Sequence, residues 1–174
     1  GGAYRMADDD HKEKRHVRQY DTSKIITQIP NSPKQKFYVK ECGSCHMAYQ
    51  AEFLPKRSWK KMMSGLEDHF GVDATVEAED EKMLSLYLRD NAADSKRVGK
   101  HFAKTAASVK RNAAPLRISD TSYFKKEHRE IPQKYIEQKE VRSIANCNAC
   151  HQTAQKGDYR ERGIFIPNYG RWDD

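Results

Sequence analysis

The chain has 174 residues, of which 33% are charged and 37% hydrophobic, and it carries a formal net charge of +7. That composition is lean for a protein that must enclose its own core, and no run of 18 apolar residues provides a membrane-spanning helix. The positive charge favours an acidic partner, but it is interleaved with carboxylates rather than clustered with exposed aromatics, which sets nucleic acid aside.

Residues 1–35 read as a charged amino-terminal extension: DDDHKEKRH is followed by the turn-rich PNSPK, where Pro30 and Pro33 discourage helix. The start GGAYRMADDDHKEKRH has no apolar core of a signal peptide, so for an exported protein the chain is expected to be the mature form or a trimmed one. Residues 36–50, KFYVKECGSCHMAYQ, are compatible with a short helix that breaks at FLP, 53–55. In 58–70, Trp59, Met62, Met63, Leu66 and Phe70 recur at helical spacing behind Ser58 as N-cap. GVDAT at 71–75 is a turn, and Thr75 is expected to cap an amphipathic helix with Val76, Met83, Leu84, Tyr87 and Leu88 inward.

A basic helical segment follows at 95–113, with Val98, Phe102, Ala106 and Val109 on its apolar side and Pro115 ending it. Its only formally charged residues are Lys96, Arg97, Lys100, Lys104, Lys110 and Arg111. Such a segment either links two regions or steers an acidic redox partner. The last third reads as mainly irregular, with one helix near 132–145, another at a cysteine motif, and an apolar clasp, GIFIPNYG, at 163–170. Strand signals are almost absent, so the fold class is mainly α. The expected organisation is an extension at 1–35, a first site region at 36–95, a basic linking helix at 96–117 and a second site region at 118–174.

All four cysteines fall in two copies of one motif, ECGSCH at 41–46 and NCNACH at 146–151. Two thiols separated by two residues can add across the two vinyl groups of a porphyrin, and the next histidine then reaches the iron. Cys42, Cys45, Cys147 and Cys150 are therefore expected to bind two haem c groups covalently, with His46 and His151 as axial ligands. A Cys₄ zinc site would leave both histidines as coincidences and would join pairs unusually far apart in sequence. A thioredoxin-like reading explains one motif but not two, and no βαβ pattern surrounds either.

An electron-transfer haem takes a second axial ligand, histidine or methionine. His69 ends an amphipathic helix just before Gly71, and it lies as far after His46 as His128 lies before His151. These two are the leading candidates, in this pairing or crossed. His101 is the reserve, and His11 and His16 sit in the extension. Met62, Met63 and Met83 read as core, while Met47 adjoins His46 and would have to reach round its own haem.

The chain resembles the small soluble dihaem cytochromes c of bacterial electron transport. The resemblance spans roughly 36–170 and runs through YVKECGSCHMAY at 38–49, LPKRSW at 54–59, LEDHFGVDA at 66–74 and YLRDNAAD at 87–94. It resumes with RISDTSYFKKEHREIP at 117–132 and ANCNACH at 145–151. It implies a class I cytochrome c-like amino-terminal haem region, a less regular carboxy-terminal one, and bis-histidine ligation by His46, His69, His128 and His151. It further implies electron transfer between a membrane cytochrome b and a small oxygen-binding monohaem cytochrome c. Such haems are expected at lower potential than His/Met haems. The protein is expected to be periplasmic, because haem attachment takes place outside the bacterial cytoplasm, and it is also expected to be a monomer. The competing reading is a peroxidase-like haem enzyme with one open haem.

Overall fold

The structure, a computed structural model, describes residues 32–95 and 97–172. Residues 1–31, with His11 and His16, and Lys96 lie outside the described residues. The described chain forms six helices and one short hairpin. In order these are α1 (Pro33–Cys42), α2 (Lys56–Ser64), α3 (Ala78–Asn91), α4 (Lys100–Ala107), α5 (Ser122–His128), α6 (Gln133–Glu137), β1 (Phe165–Ile166) and β2 (Gly170–Arg171). None of the described helices is long and apolar enough to cross a membrane.

Pro33 opens α1 instead of discouraging it. It occupies the first helical turn, where a missing N–H costs nothing, and the Ser32 side chain accepts from Gln35 N. The helix closes as Gly43 N donates to Val39 O at 2.8 Å. A Cβ on Gly43 would lie 2.2 Å from that same oxygen, so the first cysteine motif depends on glycine at its second position.

α1 and α2 both pack on α3. Their core includes Tyr38, Leu54, Trp59, Met63, Leu84, Tyr87 and Leu88. Tyr38 stacks on Tyr87 at 5.1 Å, and Trp59 Nε1 donates to Ala51 O at 2.8 Å. Two expected caps are replaced. α2 begins at Lys56 after Pro55, so Ser58 lies inside the helix and is fully buried. α3 begins at Ala78, and Thr75 N is instead held by Asp73 Oδ1 at 2.9 Å. Two expected core residues stand outside: Phe70 is 45% exposed and Met83 49%. The helical period fails at Phe70 because α2 has ended at Ser64.

The basic segment forms a helix only over Lys100–Ala107, burying Phe102 and Thr105. Beyond it the chain turns back onto α2, where Arg57 Nη2 donates to Lys110 O at 2.8 Å and its Nε to Ala113 O. Periodicity could not foresee this, since the clamp is one buried-edge guanidinium reading two carbonyls. Near the carboxy terminus Thr121 caps α5, accepting from Phe124 N at 3.4 Å. α5 was not anticipated, the helix near 132–145 is only α6, and the second motif makes a 3₁₀ turn over Cys147–Ala149. The apolar clasp is the β1–β2 hairpin.

The two halves meet through polar bonds. Tyr49 Oη donates to Ala145 O at 2.7 Å, and Gln50 Nε2 to Ala154 O at 2.8 Å. The Tyr159 hydroxyl bonds Gln50 Oε1 at 2.5 Å.

Candidate functional site

The structure brings the four site histidines together in two pairs. The rings of His46 and His69 have centroids 6.4 Å apart. Those of His128 and His151 are 6.2 Å apart. Two imidazoles bound to opposite sides of one metal atom, each at about 2 Å, hold their centres about 6 Å apart. Each pair includes one histidine of a cysteine motif and one remote histidine, in the uncrossed arrangement.

Local folding places each ring. His46 leaves the first motif in a turn, and its Nδ1 bonds Met47 O at 2.8 Å. His128 ends α5, and its Nδ1 bonds Phe124 O at 2.7 Å, one helical turn back. A carbonyl can only accept, so both Nδ1 atoms carry the proton and both Nε2 atoms keep a free lone pair. This is the tautomer a metal-binding histidine adopts when its second nitrogen is anchored. The Phe124 ring stacks on His128 at 3.8 Å and fixes its plane.

His69 is placed by a turn. It exchanges hydrogen bonds with Val72, N to O at 2.7 Å and O from N at 3.1 Å. Between them Phe70 has φ 54° and Gly71 φ 89°. Two consecutive positive φ values within a two-residue hairpin loop define a type I′ turn. His151 pairs with Ile164 in an isolated bridge, while Phe165 N donates to Cys150 O at 2.8 Å. The hairpin thus braces the second motif from behind. His151 Nδ1 is buried with no hydrogen-bond partner, and the ring is held edge-on by Tyr159 at 5.2 Å.

Burial favours the neutral form of His69, His128 and His151, the form a metal ligand must take. Burial pushes His151 down to about 3, with His128 and His101 adding to it. His69 is lowered first by burial, then by His46 and Arg117. His128 is lowered by burial against the opposing bond to Phe124.

The four cysteines are unpaired by disulfides. Burial raises Cys42 and Cys147 to about 11 and raises Cys150 as well. In these three burial disfavours the thiolate, unlike in the acidic thiols of redox Cys-x-x-Cys proteins. Among the described residues no three His, Cys, Asp or Glu side chains gather as a metal cluster, so the two cysteine pairs do not meet as a Cys₄ zinc site.

The two sites differ in enclosure. His46 and Cys45 are exposed, and His69 borders an open groove shared with Met62, Phe70 and Leu116. The second pair faces a cleft partly open to solvent. Its walls include Ile118, Ile131, Ile136, Ile144, Ile164 and Ile166. Both cysteines of the second motif line it, so a flat apolar macrocycle anchored there has a wall that fits it. His101 also lines this cleft but belongs to neither ring pair. Met63 is buried and Met83 is exposed, and neither lines the groove at His69 or the cleft at His151.

Residues that sequence reasoning passed over also matter: Phe124 beneath His128, Tyr49 against His46, and Tyr159 against His151. The i, i+4 spacing of Phe124 and His128 was a readable signal. Tyr49 is equally close in sequence to His46, whereas Tyr159 meets His151 through the fold of the chain between them.

The chain matches a family model described as dihaem cytochrome c over residues 38–159. Among solved structures it is similar to a dihaem cytochrome c from Shewanella baltica OS155, at 32% identity and a TM-score of 0.66, covering 82% of this chain and 100% of that one. A dihaem cytochrome c from Rhodobacter sphaeroides is similar at 36% identity and a TM-score of 0.63, covering 79% of this chain and 98% of that one. Among curated proteins no match is found.

Proposed function

The chain belongs to the dihaem cytochrome c family, which carries two haem c groups in electron transfer, and from that premise we propose that it is an electron carrier whose two irons are each bound by two histidines. His46 and His69 serve one iron, and His128 and His151 the other. Cys42 and Cys45 hold the first haem covalently, Cys147 and Cys150 the second. The observation that carries this reading is the pairing of each motif histidine with one remote histidine at 6.4 and 6.2 Å.

The chemistry each haem supplies is a one-electron change at iron. The protein's part is to fill both axial positions, so that no site is left for oxygen, nitrite or peroxide, and to set the potential. It does so through ligand type, the Nδ1 bonds of His46 and His128, and the unequal solvent access of the two sites. Imidazole donates more strongly than thioether, so both haems fall below His/Met haems in potential. A carrier of this kind serves between a membrane cytochrome b and a small monohaem cytochrome c. It works in the periplasm, where haem is attached, as a monomer.

The test is a spectrum of the purified holoprotein. A pyridine haemochrome count of two haem c per chain, low-spin in both oxidation states and unchanged by CO after reduction, is expected. A ferrous haem in the unaltered protein that binds CO at once would overturn the electron-carrier assignment in favour of an open-haem enzyme.

A further inference from the structure

The Arg57 clamp creates a surface that neither segment holds alone. Residues 56–64 and 109–117 together carry seven Lys and Arg and not one Asp or Glu. They are remote in sequence, yet Arg57 ties them by its bonds to Lys110 O and Ala113 O. Lys61 and Leu116 then share a groove with His69 and Phe70. At the far end Arg117 lies over the Phe70 ring at 4.1 Å. The basic face therefore runs directly to the first histidine pair.

At its end stands an apolar knuckle, the type I′ turn, with Phe70 45% and Val72 59% exposed. A large aromatic in the left-handed region is costly. Strain of this kind is found where structure serves function. Two nearby carboxylates are committed to the backbone: Asp68 Oδ1 accepts from Gly71 N at 3.0 Å, and Asp73 Oδ1 from Thr75 N at 2.9 Å. Glu67 stays exposed on the edge.

We propose that this face, α2 with the 109–117 loop around the Phe70–Val72 knuckle, is the docking surface for an acidic one-electron protein that exchanges electrons through the first site. The inference rests on the electron-carrier reading and adds where the partner sits. Transient redox complexes are small, with a limited apolar centre and a charged rim that governs encounter rate. Here the centre is the knuckle and, beyond its own Glu67, Asp68 and Asp73, the rim along α2 and the 109–117 loop is basic, which selects a partner whose own redox centre is ringed by carboxylates. The choice also differs from the basic helix read from sequence. Lys104 of α4 is half-buried and lies over Tyr123 at 5.5 Å, on the side of the second site. Only the end of that segment, Lys110 and Arg111, joins the proposed face.

The experiment uses the holoprotein in stopped flow, with a reduced acidic plant-type [2Fe–2S] ferredoxin as the protein reductant and methyl viologen radical cation as a small cationic one. With ferredoxin the rate should fall about tenfold or more between about 10 mM and about 0.5 M salt, as screened steering requires. Lys60→Glu/Lys61→Glu should lower the low-salt rate about tenfold and flatten the salt slope, and Lys110→Glu should do so in part. Haem spectra should be unchanged, and reduction by the viologen cation should not be slowed. Lys100→Glu/Lys104→Glu should leave the ferredoxin rate within about twofold of the parent. Reduction by viologen with a ferredoxin rate that none of the α2 or Lys110 variants alters would overturn the docking face and leave the carrier reading intact. Failure of both reductants would overturn both. Parent protein that sediments with phosphatidylglycerol vesicles in a Lys60/Lys61-dependent way, while its ferredoxin rate ignores salt, would reassign the face to a membrane surface.

Discussion

The hydroxyl of Tyr49 donates to the carbonyl of Ala145 at 2.7 Å, while the Tyr49 ring lies 5.1 Å from that of His46. One side chain thus touches the first motif and pins the backbone two residues ahead of Cys147. Burial, then the nearness of Cys147, pushes Tyr49 up to about 12, so the hydroxyl keeps its proton and remains the donor throughout the working range.

Tyr49→Phe removes this bond and keeps the ring. A lost hydrogen bond to a half-buried carbonyl costs about 1 kcal/mol, which in a chain of this size lowers the melting midpoint by about 2–4 °C. Haem content and spin state should not change, because no ligand is touched. Calorimetry checks the shift. An unmoved midpoint would mean that the two halves are held without this bond.

The axial assignment predicts two distinct variants. His69→Ala should give one high-spin, CO-reactive haem at the open site, and His128→Ala one at the isoleucine-walled cleft, each leaving the other haem low-spin. CO should reach the first faster than the second, since His46 is exposed and His151 is enclosed. A spectrum unaltered by either substitution would remove that histidine from the assignment.

The turn that presents His69 predicts a third. At φ 89°, Gly71 sits where an L side chain is strained, although no atom lies within 4 Å of its would-be Cβ. Gly71→Ala should therefore cost about 1–2 kcal/mol through backbone strain alone. Because the turn holds His69, the variant should also show a CO-reactive fraction at the first haem only. Loss of stability without any such fraction would show that His69 is held by its iron rather than by its turn.

Much of this is legible in the amino-acid sequence. The two cysteine motifs are local, so Cys42, Cys45, His46, Cys147, Cys150 and His151 could be read directly. His69 could be read as a candidate because it stands just before Gly71, and His128 because it lies as far before His151 as His69 lies after His46; their rings stand 6.4 and 6.2 Å from those of His46 and His151. What escaped reading depends on chain reversal. The helical period runs through Phe70, whereas α2 stops at Ser64 and a type I′ turn throws the ring outward. The basic segment reads as one helix, whereas its second half leaves α4 to be captured by Arg57. Pro33 reads as a breaker, whereas the cap Ser32 makes it a starter. Propensity describes a residue's own backbone, whereas each of these outcomes was decided by a partner elsewhere.

Gly43 supplies the most local test. It follows Cys42, and its N–H closes α1 onto Val39 O at 2.8 Å. A Cβ at this position would stand 2.2 Å from that oxygen, which is backbone and has no rotamer by which to yield. Gly43→Ala must therefore break the closing bond or tilt the turn that carries Cys45 and His46. Forced overpacking of this kind costs about 1–3 kcal/mol, and here it falls inside the span that must match two vinyl groups. Attachment at the first motif should drop while the second, with its own turn at Cys147–Ala149, is untouched. Intact mass of the variant should then show chains with one haem beside chains with two, and peptide mapping should place the missing haem at Cys42 and Cys45. A product carrying two haems throughout, with the parent's melting midpoint, would show that the turn opens at no cost and that glycine is dispensable there.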